Sequence, residues 1–277
     1  MKEIFDRMEQ EGKPFWEIVL EADMEDRQVT RNQSMAKMLL TWQAMEDAAD
    51  NYTGRRRSVS GLVGGDGMKM RQYCFRGEAM SGGYVSEVIA EALSMAESNA
   101  CMHRIVAAPT AGACGVLPAV LLPLCRYEEL SQHQLLEALY VASGIGAVIA
   151  YRACIAGASG GCQAEIGSAC SMAAAAMCEL MEFPIEQIEY AAEIAMEHHL
   201  GLTCDPICGL VQIPCIERNA VAAARALDAN SYANLSDGHH MISYDRVVEV
   251  MKETGKDIPS LYRETSEGGL ARNYTQK

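Results

Sequence analysis

Residues 168–182 read SACSMAAAAMCELME, and this stretch is the strongest indicator of the fold. Almost every residue in it is a good helix former. A helix formed here has no polar face, so other elements have to cover it on all sides. We therefore predict a helix over residues 168–182 at the centre of the molecule.

Two capping boxes mark helix starts before this stretch. Thr30 pairs with Gln33 ahead of apolar residues at helical spacing, which predicts an amphipathic helix over residues 31 to about 50. Ser131 pairs in the same way with Gln134 and predicts a second helix. Helical signals therefore precede the central stretch as well as fill it.

Further helices are predicted after the central stretch. Pro184 opens a helix that Gly201 closes. The solvent-exposed face of this helix is expected to carry four glutamates: Glu186, Glu189, Glu193 and Glu197. Residues 219–230 and 245–253 predict two more helices, and Gly255 is expected to stop the second. No βαβ rhythm and no alternation of apolar and polar residues is present, so we predict an all-α fold with helices packed around a central apolar helix.

Composition narrows the class of protein. The chain has 277 residues and a formal net charge of −14, which argues against nucleic acid and anionic membrane as partners. The apolar stretch 135–158 contains Glu137 and Arg152, and because charge is costly in a bilayer we expect a buried helix pair rather than a membrane span. The eleven cysteines are an odd number and the first residues lack an apolar signal core, which favours a reducing cytoplasm.

No repeat period or low-complexity linker divides the chain. We expect an amino-terminal helical segment over residues 1–55 and one domain over residues 56–277. Three Gly-rich loops, residues 61–67, 108–115 and 157–161, each precede an apolar run. Such loops let backbone N–H groups converge on a carboxylate or phosphate, and they also serve as tight helix connections.

Two loops rich in cysteine point to a metal centre. Residues 161–170 read GCQAEIGSAC, and residues 201–215 read GLTCDPICGLVQIPC. Thiolates are the ligands of iron–sulfur clusters, and the neighbouring Gly and Pro residues suit loops that fold around a bulky inorganic group. The spacing matches neither paired zinc knuckles nor the bacterial ferredoxin run, so ligand chemistry alone leaves the metal open.

Together these segments resemble the alpha subunit of the iron–sulfur-dependent L-serine dehydratases. The resemblance extends from about residue 60 to the end of the chain. It rests on six segments in the family's order: residues 64–69, 108–112, 160–169, 197–206, 211–220 and 263–271. The two cysteine motifs are its most specific part.

The resemblance implies a 4Fe-4S cluster held by Cys162, Cys204 and Cys215, with one iron left open for L-serine. That iron would act as a Lewis acid on the serine hydroxyl while a base takes the Cα proton. Loss of water gives aminoacrylate, whose imine form hydrolyses to pyruvate and ammonia. Cys208 stands where relatives often carry a small residue, and we interpret it as a bystander.

The resemblance also implies a set of substrate-binding residues. Thr110, Ala111 and Gly112 match a family loop near the substrate, where a hydroxyl and backbone N–H groups suit the serine carboxylate. Asp66 and Lys69 match another family motif, and their spacing is also that of a structural ion pair on a helix.

The family's favoured base is missing from this sequence. In the family it is a histidine in a Ser-His-Thr-x-Gly-Pro motif carried by the beta part, and no such motif occurs here. We interpret His198 and His199, which precede Cys204, as structural residues at a helix end. We therefore expect a hetero-oligomer in which an obligate beta subunit completes the substrate pocket. Residues 272–277 contain no cysteine, so we expect no gating by a terminal thiolate.

Three alternatives remain open at this point. Elimination from cysteine or threonine is a close variant, because one methyl group or one sulfur changes the fit of a pocket by only a few kcal/mol. A non-catalytic scaffold would bind structural zinc through Cys162, Cys204, Cys208 and Cys215. A redox sensor would carry the cluster without turning over serine.

Overall fold

A computed structural model describes residues 1–272 and residue 274, and its α-helices are numbered here in chain order. Within these residues the structure has twelve α-helices and no strand, only one isolated bridge between Cys204 and Arg263. The all-α prediction is confirmed. The first six helices are α1 Lys2–Glu11, α2 Phe15–Arg27, α3 Arg31–Asp50, α4 Asp66–Phe75, α5 Gly83–Ala100 and α6 Val116–Tyr127. The others are α7 Gln132–Arg152, α8 Gly157–Gly160, α9 Ser168–Leu180, α10 Ile185–Glu197, α11 Cys215–Leu235 and α12 Tyr244–Asp257.

Helix α9 lies at the centre, as the sequence predicts. All of its residues except Glu179 are buried, and the four alanines at 173–176 are 0% exposed. Four helices contact it: α6, α7, α10 and α11. Because its side chains are small and apolar, the neighbouring helices surround it at close approach and leave no face for water.

Two glycines on α7 allow the helices α2 and α9 to pack closely against it. A Cβ atom at Gly144 would lie 2.5 Å from Cγ2 of Val19 on α2, and one at Gly146 would lie 2.9 Å from Sδ of Met172 on α9. Helix α7 is long and apolar enough to cross a membrane, but most of its apolar stretch is buried inside the protein. The expected burial is confirmed, although residues 132–152 form one helix rather than a pair.

Helix α10 corrects one prediction about its polar side. The sequence places Glu193 on the solvent-exposed face of this helix, but in the structure Glu193 is only 2% exposed. The reason is that α12 packs on α10 in addition to α9 and α11, which leaves α10 only a narrow exposed stripe. The helix also ends at Glu197, four residues before Gly201.

The last two long helices extend beyond their predicted limits. Helix α11 begins at Cys215 rather than at residue 219. Helix α12 continues past Gly255, so the prediction that this glycine stops it is wrong. A Cβ atom at Gly255 would lie 3.0 Å from the Cα of Gly160 in α8, so this glycine permits close packing instead of ending the helix.

The amino-terminal helices contribute to the same core. Phe15 and Trp16 of α2 are buried in the main hydrophobic cluster, and the terminal ammonium group of Met1 lies 2.7 Å from Oδ1 of Asp245. A division of the chain at residue 55 stays a prediction. The carboxyl-terminal tail considered above falls mostly outside the described residues.

Replacing Ala174 in α9 by Leu tests the close packing of the central helix. Ala174 is 0% exposed, so the added carbon atoms have no space, and we expect a loss of about 1–3 kcal/mol in the free energy of unfolding. Urea denaturation measures it. The matched control is Ala147→Leu on the exposed side of α7, where we expect a change within about 0.5 kcal/mol. Equal effects of the two substitutions would contradict this packing.

Candidate functional site

Three cysteine-bearing segments meet at the amino-terminal end of α9. Cys162 precedes a π-helical turn, Gln163–Gly167, that runs directly into α9. Helix α10 follows α9 after a short connection and packs along it, so its carboxyl end returns to this point and delivers Cys204. Cys215 is the first residue of α11, which also packs on α9. The order of helices therefore brings the three thiols to one end of the bundle.

The thiols of Cys162 and Cys204 form a compact group with a carboxylate. Their Sγ atoms and a carboxylate oxygen of Glu165 all lie within 4.8 Å of one another. A hydrogen bond from Cys204 lowers the pKa of the Cys162 thiol. Burial, together with the charges of Cys162 and Glu165, raises the pKa of Cys215 to about 12. Cys215 therefore belongs to the same electrostatic environment.

Arg218 supplies positive charge to this group and holds the loop around it. Its guanidinium donates to the carbonyl oxygen of Thr203 at 2.7 Å and to Oδ1 of Asp205 at 2.9 Å. After the hydrogen bond from Cys204, the positive charge of Arg218 also lowers the pKa of the Cys162 thiol. The other oxygen of Asp205 accepts the N–H of Leu270 at 2.8 Å. One arginine thus ties the start of α11, the loop around Cys204 and the carboxyl-terminal segment together.

The carboxyl-terminal segment lies directly against Cys204. The N–H of Cys204 donates to the carbonyl of Tyr262 at 2.8 Å, and the N–H of Glu264 donates to the carbonyl of Cys204 at 2.7 Å. The buried Nε of Arg263 has no hydrogen-bond partner among the described residues. A buried, unpaired cationic donor beside thiols is compatible with a bound anionic group.

The loop at Thr110 forms another wall of the site. The Thr110 hydroxyl donates a hydrogen bond to the carboxylate of Glu165, whose pKa burial raises. A Cβ atom at Gly112 would lie 2.6 Å from Oε1 of Glu165, so this position has to be glycine for the approach. Among the described residues, the N–H groups of Ala111 and Gly112 have no acceptor.

Asp66 and Lys69 lie on the exposed side of α4 and form an ion pair at 2.6 Å, with side chains 58% and 71% exposed. They do not belong to the group around Cys162. Helix α5 connects them to the Thr110 loop: Glu97 accepts the N–H of Asp66 at 2.7 Å, and Asn99 donates to the carbonyl of Ala111 at 3.0 Å. The structure therefore places this pair outside the group around Cys162 and links it to the Thr110 loop through α5.

Three residues flanking the site have structural surroundings. Nδ1 of His198 lies 2.9 Å from the carbonyl oxygen of Ile194, and Nδ1 of His199 lies 2.7 Å from that of Ala195, so both bond to their own helix. Burial lowers the pKa of His199. Cys208 is exposed, has a φ of 56°, and lies outside the group around Cys162.

Sequence reasoning assigned no role to several residues that the structure brings to the site: Glu165, Arg218, Asn219 and Glu264. Glu165 follows Cys162 by three residues and Arg218 follows Cys215 by the same interval, as the sequence displays. Such a spacing returns a side chain to the same side of a helical turn, and this was the signal available for both.

The donor set and the space around it fit a thiolate-bound metal group. The thiols of Cys162 and Cys204 converge with Glu165, and the third buried thiol, Cys215, lies outside that compact group but close enough for the charges of Cys162 and Arg218 to act on it. A Cβ atom at Gly157 would lie 3.0 Å from Sγ of Cys204 and 3.4 Å from Oε2 of Glu165, so a glycine keeps this space clear. Soft thiolate ligands suit both an iron–sulfur cluster and zinc.

Replacing Asn219 by Ala tests how the Thr110 loop is fixed. Its fully buried side chain donates to the carbonyls of Gly112 (2.6 Å) and Cys215 (2.7 Å) and accepts the N–H of Gly115 (2.8 Å). Three backbone groups lose their partner, so we expect a loss of about 2–4 kcal/mol in the free energy of unfolding. Urea denaturation measures it. Asn234→Ala, at an exposed position of α11, is the control, and equal losses would contradict the role.

Comparison with known proteins identifies the family. The family model described as serine dehydratase alpha chain matches residues 10–271. L-serine dehydratase 2 of Escherichia coli K12 is 51% identical over 181 residues, which cover 65% of this chain and 40% of that protein. The probable L-serine dehydratase alpha chain of Bacillus subtilis is 37% identical over 259 residues, covering 94% of this chain and 86% of that protein.

The chain spans about 40% of the length of several curated relatives that it matches, among them the L-serine dehydratase of Streptomyces coelicolor, which is 50% identical over 183 residues. The family match itself covers nearly the whole chain and includes all three converging cysteines and the Thr110 loop. This protein belongs to the serine dehydratase alpha chain family.

Proposed function

We propose that this chain is the alpha part of a cytoplasmic, iron–sulfur-dependent L-serine dehydratase, a lyase that eliminates water from L-serine and yields pyruvate and ammonia. The observation that carries the proposal is the convergence of Cys162, Cys204 and Glu165 within 4.8 Å, next to Cys215 and the Thr110 loop. The relatives named as L-serine dehydratases support serine as the substrate.

In this proposal Cys162, Cys204 and Cys215 hold a 4Fe-4S cluster. When bound, the cluster supplies a Lewis-acidic iron toward the serine hydroxyl. Arg218 offsets the negative charge of the thiolates, because its positive charge acts on both Cys162 and Cys215. Burial of the three thiols keeps competing water away, since Cys162 is 0%, Cys204 2% and Cys215 5% exposed.

The Thr110 loop supplies the proposed contacts to serine. The N–H groups of Ala111 and Gly112 are unengaged within the described residues, which suits the substrate carboxylate. Glu165 offers an acceptor for the substrate ammonium group, and the hydroxyl of Thr110 holds it in position. Asp66 and Lys69 remain proposed substrate residues, linked to this loop through α5.

We propose that a beta chain supplies the base and completes the pocket. His198 and His199 bond to their own helix through Nδ1, which supports a structural role for both. The L-serine dehydratases of Escherichia coli and Streptomyces coelicolor are much longer than the region they share with this chain, which supports a further part of the enzyme beyond the alpha region. The protein would accordingly be a hetero-oligomer.

Single substitutions of the cysteines test the cluster. We expect Cys162→Ala, Cys204→Ala and Cys215→Ala each to abolish cluster binding, because each removes one of three ligands. Iron and acid-labile sulfide per chain, measured after anaerobic purification, are the readout. Cys208→Ala is the matched control within the same loop, and we expect it to retain the cluster.

Loss of the cluster in Cys208→Ala would overturn the assignment of Cys208 as a bystander. Zinc in place of iron, released by the same four substitutions, would favour the structural scaffold instead. Iron retained in all of the variants would contradict the proposed ligand set.

Gly112→Ala tests the substrate loop. The new methyl group would lie 2.6 Å from Oε1 of Glu165 and displace the carboxylate, so we expect kcat/KM for L-serine to fall by about tenfold or more while the iron content stays unchanged. Steady-state pyruvate formation with the beta chain measures this. The control is Gly83→Ala, where the added methyl meets nothing within 4 Å. Full activity of Gly112→Ala would contradict a role for this loop in binding serine.

A further inference from the structure

A cavity lies away from the cysteines of the candidate site, between α10, α11 and the segment that precedes α12. Its volume is about 600 Å³, within the range of small-molecule sites. Its lining includes three aromatic rings, two carboxylates and one guanidinium: Tyr190, Tyr232, His240, Glu193, Glu197 and Arg225. Neither the proposed cluster nor the Thr110 loop uses any of them.

The floor of this cavity holds a buried carboxyl group without a full set of partners. Glu193 is 2% exposed, and its Oε1 has no hydrogen-bond partner among the described residues. Burial, together with the neighbouring charge of Glu197, raises the pKa of Glu193 to about 8. Buried polar atoms in native proteins nearly always have a partner, so an unpaired one that lines a cavity points to a missing ligand.

The walls of the cavity are suited to an organic cation. The rings of Tyr190 and His240 stack at 4.4 Å, and Tyr232 meets Tyr190 edge-on at 6.0 Å. Aromatic faces attract ammonium groups and also cover apolar carbon atoms. Arg225 is already paired with Asp228 at 3.4 Å, so its positive charge is balanced. The carboxylates on the α10 wall therefore have no arginine or lysine of their own among the described residues of the cavity lining.

We propose that this cavity binds a small organic amine in its ammonium form. The ammonium group would bond to Glu193 and Glu197, and the carbon body would lie against the rings of Tyr190 and Tyr232. A bare divalent ion fits less well, because Ca²⁺ and Mg²⁺ require six or more oxygen ligands at close range. The inference does not depend on the proposed reaction.

Binding of an ammonium group should release a proton below pH 8. A positive charge beside Glu193 favours its carboxylate form and therefore lowers its pKa. The titratable and charged groups around Glu193 are the following: Glu189, Glu197, His198, Arg225, Asp228 and His240. Among them, Glu189 and Glu197 are the acidic neighbours that raise the pKa of Glu193 in the absence of ligand.

Calorimetric titration of the full-length chain with tyramine tests the site. Tyramine carries a primary ammonium group on an aromatic body, and tyrosol is its neutral analogue with a hydroxyl in that place. We expect tyramine to bind at least about tenfold more tightly than tyrosol, because a charged hydrogen bond to a buried carboxylate is lost in the analogue. Titration at pH 7 in two buffers of different ionisation enthalpy reports the released proton.

Glu193→Gln should weaken tyramine binding by about tenfold or more and abolish proton release. Glu186→Gln is the matched control, an exposed glutamate on the same helix that does not line the cavity, and it should bind tyramine like the parent chain. If Glu193→Gln fails to fold by circular dichroism, the exposed Glu197→Gln decides in its place. The proposal would be overturned if tyramine and tyrosol bound equally or if tyramine did not bind. Unchanged tyramine binding in Glu193→Gln, or in Glu197→Gln where that variant replaces it, would also overturn it.

Discussion

The structure depends on a central helix that cannot face water on any side. Because α9 is built almost entirely from small apolar residues, four helices have to surround it, and its alanines let them approach closely. The chain connects α9 to α10 and α10 to α11, and both α10 and α11 pack on α9. Cys162, Cys204 and Cys215 lie near the ends of these helices. The packing that buries α9 therefore also brings the three cysteines to one end of the bundle.

Buried polar contacts fix the site more finely than helix packing does. Arg218 bonds Thr203 and Asp205 beside Cys204, and Asn219 at the next position of α11 bonds the Thr110 loop. These contacts are wholly or partly buried, so leaving one of the groups unpaired costs more than an exposed contact contributes. Consecutive residues of one helix thus fix the loop around Cys204 on one side and the Thr110 loop on the other.

Much of the fold could be predicted from the sequence, because capping boxes and apolar periodicity are local signals. Thr30 and Ser131 marked the starts of α3 and α7 correctly. Predictions failed where distant contacts decide: Gly255 packs closely against Gly160 from within α12, and Glu193 is buried on a helix that α9, α11 and α12 all contact. Motif resemblance brought out the cysteines and Thr110, whereas Glu165 and Arg218 required the geometry, because their three-residue spacing from Cys162 and Cys215 does not by itself separate them from surface charges.

The central claim is that this alpha chain carries an iron–sulfur cluster that a beta chain completes for serine dehydration. The most direct test is one anaerobic preparation of the chain with its beta chain, in which iron, acid-labile sulfide and pyruvate formation from L-serine are measured together. We expect about four iron and four sulfide per alpha chain, with turnover that requires the beta chain. Zinc in place of iron, or a full cluster without pyruvate, would contradict it.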